Sequence, residues 1–199
     1  MVSVVTDAEL VPTDFLPEEE NYCDECKLCL SVCLSGYLDP VEKVTVTLGG
    51  KEFSYGKRRN NSRCLLVCMG LTGLNVSGKW STWFPGRFKI PENDGNFVAA
   101  MPAAIQAYLK RPKFKGGVFI PIMAGSMMEY TCANCQIVCH PDKEVRTARY
   151  KMLIESGVVI QEPDGIRRVV SPEEAKEYLN SMPLERRKLY ESIPEGKSV

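Results

Sequence analysis

The sequence predicts an α+β protein in which two β-hairpins and several helices flank a cysteine-rich centre. Residues 41–48 alternate apolar and polar side chains, Gly49-Gly50 then favours a tight turn, and a second strand returns over 51–55. A second hairpin is predicted where Pro163-Asp164-Gly165 separates the short runs 158–161 and 166–170. The stretch from Ser171 to Glu174 is a capping box with Pro at the first helical position, so a helix starts there.

The remaining segments follow from apolar spacing and from the positions of Gly and Pro. A helix over 141–156 is indicated by Pro141, which suits a first turn, and by Gly157, which suits the left-handed position past the end. The other predicted segments are, in chain order, an acidic extended arm (1–20), a basic loop (57–61), one or two helical turns (64–74), an ordered aromatic loop (75–95), an apolar helix (96–110) and an irregular stretch (113–131).

Composition narrows the class of protein. The 199 residues are 44% hydrophobic and 25% charged, which is typical of a globular chain that buries a core. No apolar run reaches the roughly 18–20 residues that a membrane-spanning helix needs. Nine cysteines are an odd number, and the acidic start of the sequence does not resemble a secretory signal. We therefore expect a cytoplasmic protein whose cysteines bind metal, not a disulfide scaffold.

Charge is balanced overall but unevenly distributed. The 25 basic and 25 acidic residues cancel, which argues against a protein whose main task is to bind nucleic acid. Residues 1–26 hold eight acids and no base, whereas 27–139 hold 14 bases and 6 acids. The acidic arm is either a solvated tail or a segment that folds back on the basic middle or engages a partner.

Two cysteine runs carry the chemistry. The first is a C-x2-C-x2-C-x3-C run, in which three thiolates wrap one small cage and the fourth points away. In bacterial-type iron–sulfur proteins the fourth cysteine of such a run binds the other cluster of a pair. The second run is a C-x2-C-x3-C run with one ligand missing, for which Cys64 and Cys68 are the candidates. The predicted centre is thus a two-cluster ferredoxin-like iron–sulfur module with a long insert.

The ligands then divide into two predicted groups of four. We name them set A and set B. Set A, for the first [4Fe-4S] cluster, is Cys23, Cys26, Cys29 and Cys139; set B, for the second, is Cys33, Cys132, Cys135 and either Cys64 or Cys68. Zinc is the main alternative, but tetrahedral zinc usually takes two pairs of ligands and not a crowded run of four.

The cysteine pattern resembles the double-cluster module on the C-terminal side of epoxyqueuosine reductases and the related reductive dehalogenases. Those enzymes have such a first run, an isolated Cys after a basic residue, and a shorter second run. The matching features here are the run 23–33, Arg63-Cys64 and the stretch 132–139, so the resemblance covers about residues 20–157. It implies that Cys64 is the isolated ligand and that Cys68 is spare.

The sequence also departs from that family. Leu34 follows Cys33 where the family usually has Pro, and His140 separates Cys139 from Pro141. Only 22 residues precede Cys23, so we expect the family's larger domain for cobalamin and substrate to be missing. No glycine-rich dinucleotide or phosphate loop is found. The resemblance therefore implies the electron-carrying module, and the reductase activity is not carried over.

Other residues were weighed as site candidates. His140 could tune the adjacent Cys139 or move a proton, although a role in a helix cap is as plausible for a single histidine. The basic residues before Cys64 could steer an acidic partner, offset cluster charge or form a solvated loop; they are Lys57, Arg58, Arg59 and Arg63. The aromatics of the predicted loop could form a dry wall, a docking surface or core; they are Trp80, Trp83, Phe84 and Phe88. Met123, Met127 and Met128 are expected to fill core.

The expected function is electron transfer through two [4Fe-4S] clusters to a partner reductase, with this chain as a non-catalytic subunit of an oxidoreductase complex. The alternatives are a split or degenerate epoxyqueuosine reductase-like component that uses cobalamin, and a binding module whose clusters or zinc ions are structural. The predicted organisation is an arm at 1–20, a two-cluster domain at 21–157 with its insert at 41–131, and a hairpin and helix at 158–199 packed on it. Redox protein partners are expected, without a membrane span.

Overall fold

The computed structural model describes residues 22–114, 119–123, 126–129 and 132–191, together with 5–9, 11, 14, 17 and 20 ahead of them. Helices make up 39% and strands 19% of the structure, so the predicted α+β class is confirmed. Much of the predicted arm at 1–20 lies outside the described residues. No helix among the described residues is long and apolar enough to span a membrane.

The first hairpin follows the prediction and is longer than expected. Strand β1 (Leu38–Leu48) pairs antiparallel with β2 (Lys51–Arg58), and Val46 lies opposite Phe53. The turn residues Gly49 and Gly50 have positive φ, as a tight turn of this kind requires. The predicted basic loop at 57–61 is wrong, because β2 continues to residue 58 and a helix begins at residue 61.

Helix α1 (Leu28–Ser31) is a single turn and precedes the first core. That core is formed by α2 (Asn61–Cys68), α3 (Asp94–Leu109) and the aromatic loop between them. Helix α2 starts where the Asn60 side chain accepts a hydrogen bond from Ser62 N–H, and α3 starts two residues before the predicted position. The buried members of this core are Leu66, Met69, Leu71, Phe88 and Ala104.

A third hairpin lies in the stretch that the sequence predicted to be irregular. Strand β3 (Phe119–Met123) pairs antiparallel with β4 (Ser126–Glu129). Pro121 lacks an N–H for the ladder, and such a residue argues against a strand in sequence reasoning. The hairpin places it in a two-stranded sheet, where a strand has one edge without a ladder partner.

The remaining helices and strands complete the fold after the second cysteine run. They are α4 (Asn134–Val138), α5 (Lys143–Ile154), β5 (Val158–Gln161), β6 (Arg167–Val170), α6 (Pro172–Ser181) and α7 (Leu184–Glu191). Asp142 caps α5, so Pro141 precedes the helix and does not lie in its first turn. Gly157 has a φ of 84°, and Ser171 accepts a hydrogen bond from Glu174 N–H, as predicted for both.

The last helix packs on the insert. Arg111 donates from Nε to the Leu189 carbonyl at 2.7 Å and from Nη1 to the Gly70 carbonyl at 3.1 Å. The buried Tyr190 hydroxyl lies 3.2 Å from Gln161 Oε1. These contacts join α7, α2's C-terminal side and the β5–β6 hairpin into one body that supports the cysteines.

Candidate metal centre

The first cysteine run forms a tight loop with an unusual backbone. Glu25 and Lys27, the two residues on either side of Cys26, have φ values of 55° and 59°. Non-glycine residues rarely adopt this left-handed conformation, and such backbone clusters at functional sites. The two left-handed residues bend the loop so that α1 starts directly behind it, at Leu28.

The set A cysteines line one cavity of about 450 Å³ between this loop and the β1–β2 hairpin. Burial is the main cause that raises the pKa of the Cys29 thiol, and the neighbouring thiols Cys139, Cys26 and Cys23 raise it further. Cys139 thus lies close enough to the first run to act on Cys29, although 110 residues separate the two in the sequence. The fold brings the four set A cysteines together.

The set B cysteines form a second neighbourhood around the start of α4. Burial again raises the pKa of Cys135 first, and the thiols that raise it further are Cys132, Cys33 and Cys64. Cys132 lies two residues before α4, Cys33 lies two residues after α1, and Cys64 lies within α2. The same four cysteines were assigned to set B when Cys64 is taken as the isolated ligand.

Cys68 also lies in this neighbourhood. Its Sγ is 3.8 Å from Cys64 Sγ and 3.7 Å from the Cys132 carbonyl oxygen. Hydrogen bonding to Cys132 and Cys64 raises the pKa of Cys68, whereas the bond from Cys68 lowers the pKa of Cys64 to about 7. Either sulfur can be the donor of the hydrogen bond that joins the two candidates.

Three buried valines lie next to cysteines in the sequence and pack in one hydrophobic cluster. Val32, Val67 and Val138 are each fully or almost fully buried in one cluster, and each directly precedes a cysteine in the sequence. Trp80 and Leu34 complete this cluster, so Trp80 is a core residue. Trp83 instead exposes 69% of its surface.

The two short helices link the two sets. Cys29 of set A lies within α1, and Cys33 of set B follows that helix by two residues. Cys135 of set B lies within α4, and Cys139 of set A directly follows it. The two helices pack against each other. Each therefore connects the two neighbourhoods by a single turn or slightly more.

Main-chain N–H groups lie near the sulfur atoms. The N–H groups of Leu30 and Gln136 partly offset the rise that burial causes in the pKa of Cys29 and Cys135. Those two N–H groups donate their hydrogen bonds to the Lys27 and Ala133 carbonyls, at 3.0 and 2.9 Å. A hydrogen bond from Cys68 lowers the pKa of Cys132, and Asn134 N–H adds to that effect. Such donors stabilise negative charge on thiolates, as an iron–sulfur cluster requires of its ligands. The donor set and the cavity beside set A thus fit a thiolate-bound cluster.

A buried arginine stands beside each set. Arg146 of α5 bonds to Asp24, in the first run, and donates to the His140 carbonyl at 3.3 Å. Arg63 of α2 bonds to Asp94 and donates to the Ser35 carbonyl at 3.3 Å. Arg146 is 5% exposed and Arg63 is 3% exposed. Each arginine joins a cysteine run to an element that is distant in the sequence.

Sequence reasoning weighed Arg63 as part of the basic stretch before Cys64 and missed Arg146, which carried no signal beyond its place in a mixed-charge helix. The outer residues of the basic stretch are exposed: Lys57 pairs with Glu42 at 2.5 Å, and Arg58 stacks on Tyr55. Their predicted role in docking stays a prediction.

The other candidates have structural positions. His140 Nδ1 accepts a hydrogen bond from Asp142 N–H at 3.1 Å, which is a cap contact ahead of α5. Phe84 and Phe88 are buried, as expected for core. Met123, Met127 and Met128 lie in β3 and β4, where only the backbone is described.

No three His, Cys, Asp or Glu side chains of the described residues converge tightly enough to hold a single metal ion. In a [4Fe-4S] cluster each cysteine binds a different iron, so its ligands stand further apart than those of one ion.

No family model matches this chain, and no curated protein or solved structure matches it either.

Proposed function

We propose that this chain is an electron-transfer protein that relays electrons through two [4Fe-4S] clusters to a partner reductase. The observation that carries the proposal is the grouping of eight cysteines, from two distant runs and α2, into two neighbourhoods of four. The clusters, when bound, supply one-electron redox chemistry. Every other contribution described below comes from the side chains and main chain around them.

The ligands proposed for the first cluster are Cys23, Cys26, Cys29 and Cys139, and those for the second are Cys33, Cys64, Cys132 and Cys135. Set A faces a cavity, and Cys23, Cys26 and Cys139 are exposed. Set B has one exposed member, Cys135. Solvent access is one of the properties that set cluster potential, so the two sites would differ in potential.

The surroundings suit an anionic cluster. Val32, Val67 and Val138 belong to one buried cluster, against which Cys29 of set A and Cys132 of set B pack. Arg146 and Arg63 are each paired with a carboxylate, so they order the surroundings of the sets without adding net charge. Helices α1 and α4, each of which carries a cysteine of one set and is followed by a cysteine of the other, pack against each other.

The experiment is to measure iron, sulfide and zinc in anaerobically purified protein, with EPR spectra before and after dithionite. We expect about eight irons and a reducible signal from two interacting clusters. About four irons would contradict the two-set assignment. Zinc without a reducible signal would reject electron transfer and leave a structural metal site.

Matched variants test the eighth ligand. Cys64→Ser should remove roughly half of the iron, whereas Cys68→Ser should leave the iron content near that of the wild type. The two residues lie one turn apart on the same helix, so the pair controls for damage to α2. The reverse result would make Cys68 the ligand.

A further inference from the structure

Asn134 holds a buried amide donor without an acceptor. The residue begins α4, lies between Cys132 and Cys135, and is 6% exposed. Its main-chain N–H helps to lower the pKa of Cys132, but its side-chain Nδ2 is shut off from solvent and has no hydrogen-bond partner among the described residues. A buried donor left unpaired loses its hydration without compensation and destabilises the fold. This position therefore calls for an acceptor that the protein atoms around it do not provide.

Two neighbours could receive this hydrogen bond. One is a groove of about 260 Å³, which Asn134 lines together with Trp83, Met152 and Arg149. The other is set B, since Cys132 lies two residues before Asn134 and Cys135 directly follows it. Because Nδ2 itself is closed to solvent, it does not present a donor to the open groove. The set B thiols, next to Asn134 in the chain, are the remaining group that can carry an acceptor.

We propose that the Asn134 side-chain amide donates a hydrogen bond to a sulfur atom of the cluster held by set B. The inference rests on the proposed function. Sulfur acceptors at a cluster carry negative charge, and hydrogen bonds to them are among the properties that set reduction potential. Such a bond is stronger when the cluster is reduced, since reduction adds negative charge. Asn134 therefore raises the potential of the set B cluster above the value that the cysteines alone would give.

The test is the variant Asn134→Leu, which has nearly the same volume and no donor. We expect the midpoint potential of one cluster to become more negative, while the other potential and the iron content stay unchanged. The matched control is Gln106→Leu, which removes an exposed amide from α3. It should leave both potentials unchanged.

A second measurement does not depend on the variant's folding. Wild-type protein with asparagine labelled with ¹⁵N in the side chain should show a ¹⁵N hyperfine coupling in the pulsed EPR spectrum of the reduced cluster. Unlabelled protein should lack this coupling.

The outcomes distinguish a failure of the proposed electron-transfer function from a failure of the proposed Asn134 hydrogen bond. Wild-type protein without reducible iron would reject the proposed function. Two reducible clusters with potentials that Asn134→Leu does not change would overturn the role of Asn134 alone. If the variant loses iron, the labelled wild type decides: a coupling supports the hydrogen bond, and its absence overturns it.

Discussion

Arg146, a buried residue of α5, forms an ion pair with Asp24, which lies between the first two cysteines of the sequence. The carboxylate remains half-exposed, so most of the desolvation falls on the arginine. The pair ties the loop of the first run to the helix that follows the second run. The positions of Cys23 and Cys139 relative to each other thus depend on a contact that neither cysteine makes.

Removal of this contact should loosen the set A site. In Arg146→Leu the apolar side chain fills the buried space, so the fold should persist while the first run moves more freely. We expect the set A iron to be lost to a chelator about 10-fold faster or more. The decay of the cluster's visible absorbance measures this rate. Lys151→Leu, at an exposed site on the same helix, is the control, and equal rates in both variants would refute the role of Arg146.

Arg63 should matter more for folding than its neighbour Arg59. Both approach Asp94 and the Glu92 carbonyl, but Arg63 is buried and also donates to the Pro91 carbonyl at 3.0 Å. Arg63→Gln should lower the free energy of unfolding by about 2–4 kcal/mol, since buried carbonyls lose their donor. Arg59→Gln should cost under about 1 kcal/mol. Urea unfolding compares the two, and similar losses would contradict the difference in burial.

Gly73 should tolerate no side chain. A Cβ there would clash with the Phe84 carbonyl oxygen and would lie 2.6 Å from Thr82 Oγ1. Gly73→Ala should therefore destabilise the protein by about 1–3 kcal/mol. The control is Gly56→Ala, because a Cβ at that position meets only the Asp39 carbonyl oxygen at an ordinary 3.7 Å. A thermal melt should show a lower Tm for the first variant only.

Glu162 should make stability depend on pH. Hydrogen bonds from Arg168 and Tyr178 hold the pKa of Glu162 below its ordinary value of 4.5. A carboxylate with a lowered pKa in the folded state stabilises the fold above its unfolded pKa, and this contribution is lost as pH falls through the folded value. Wild type should thus exceed Glu162→Gln in unfolding free energy at pH 7, and the gap should shrink below pH 4.5.

The comparison is between two proteins with identical cysteines, so effects of acid on the cysteine sites are the same in both. Urea titrations at several pH values measure the gap. A gap that stays constant as the pH falls would mean that the Glu162 carboxylate is not the group that titrates.

Local patterns in the sequence predicted the parts of the fold that local chemistry decides. The Gly49-Gly50 turn and the Ser171 cap depend on residues a few positions apart, and both are present. The start of α2 was missed because Asn60 looked like part of a basic loop. The β3–β4 hairpin was missed because Pro121 normally argues against a strand.

In the candidate site, as in the fold, features set by neighbouring residues could be predicted and features set by long-range packing could not. Cysteine spacing identified the two runs, because each run is local and its geometry repeats between proteins. The division of the thiols into two ligand sets stays a prediction. The partners of Arg63 and Arg146 could not be predicted, since Asp94 lies 31 residues from Arg63 and Asp24 lies 122 residues from Arg146. The unpaired amide of Asn134 could not be predicted either, because burial at that position depends on packing across the whole body.

Each proposed ligand set combines cysteines that are far apart in the sequence, and this determines when a cluster can be inserted during synthesis in the cell. About 110 residues separate Cys29 from Cys139. At roughly 5–20 residues per second, a ribosome needs about 5–20 s to make that stretch. On the proposed ligand sets, the nascent chain leaves the ribosome with the first run complete and both cages still lacking ligands. Cluster delivery would then follow translation of residue 139, and during this interval the early thiols would be open to oxidants or to competing metals.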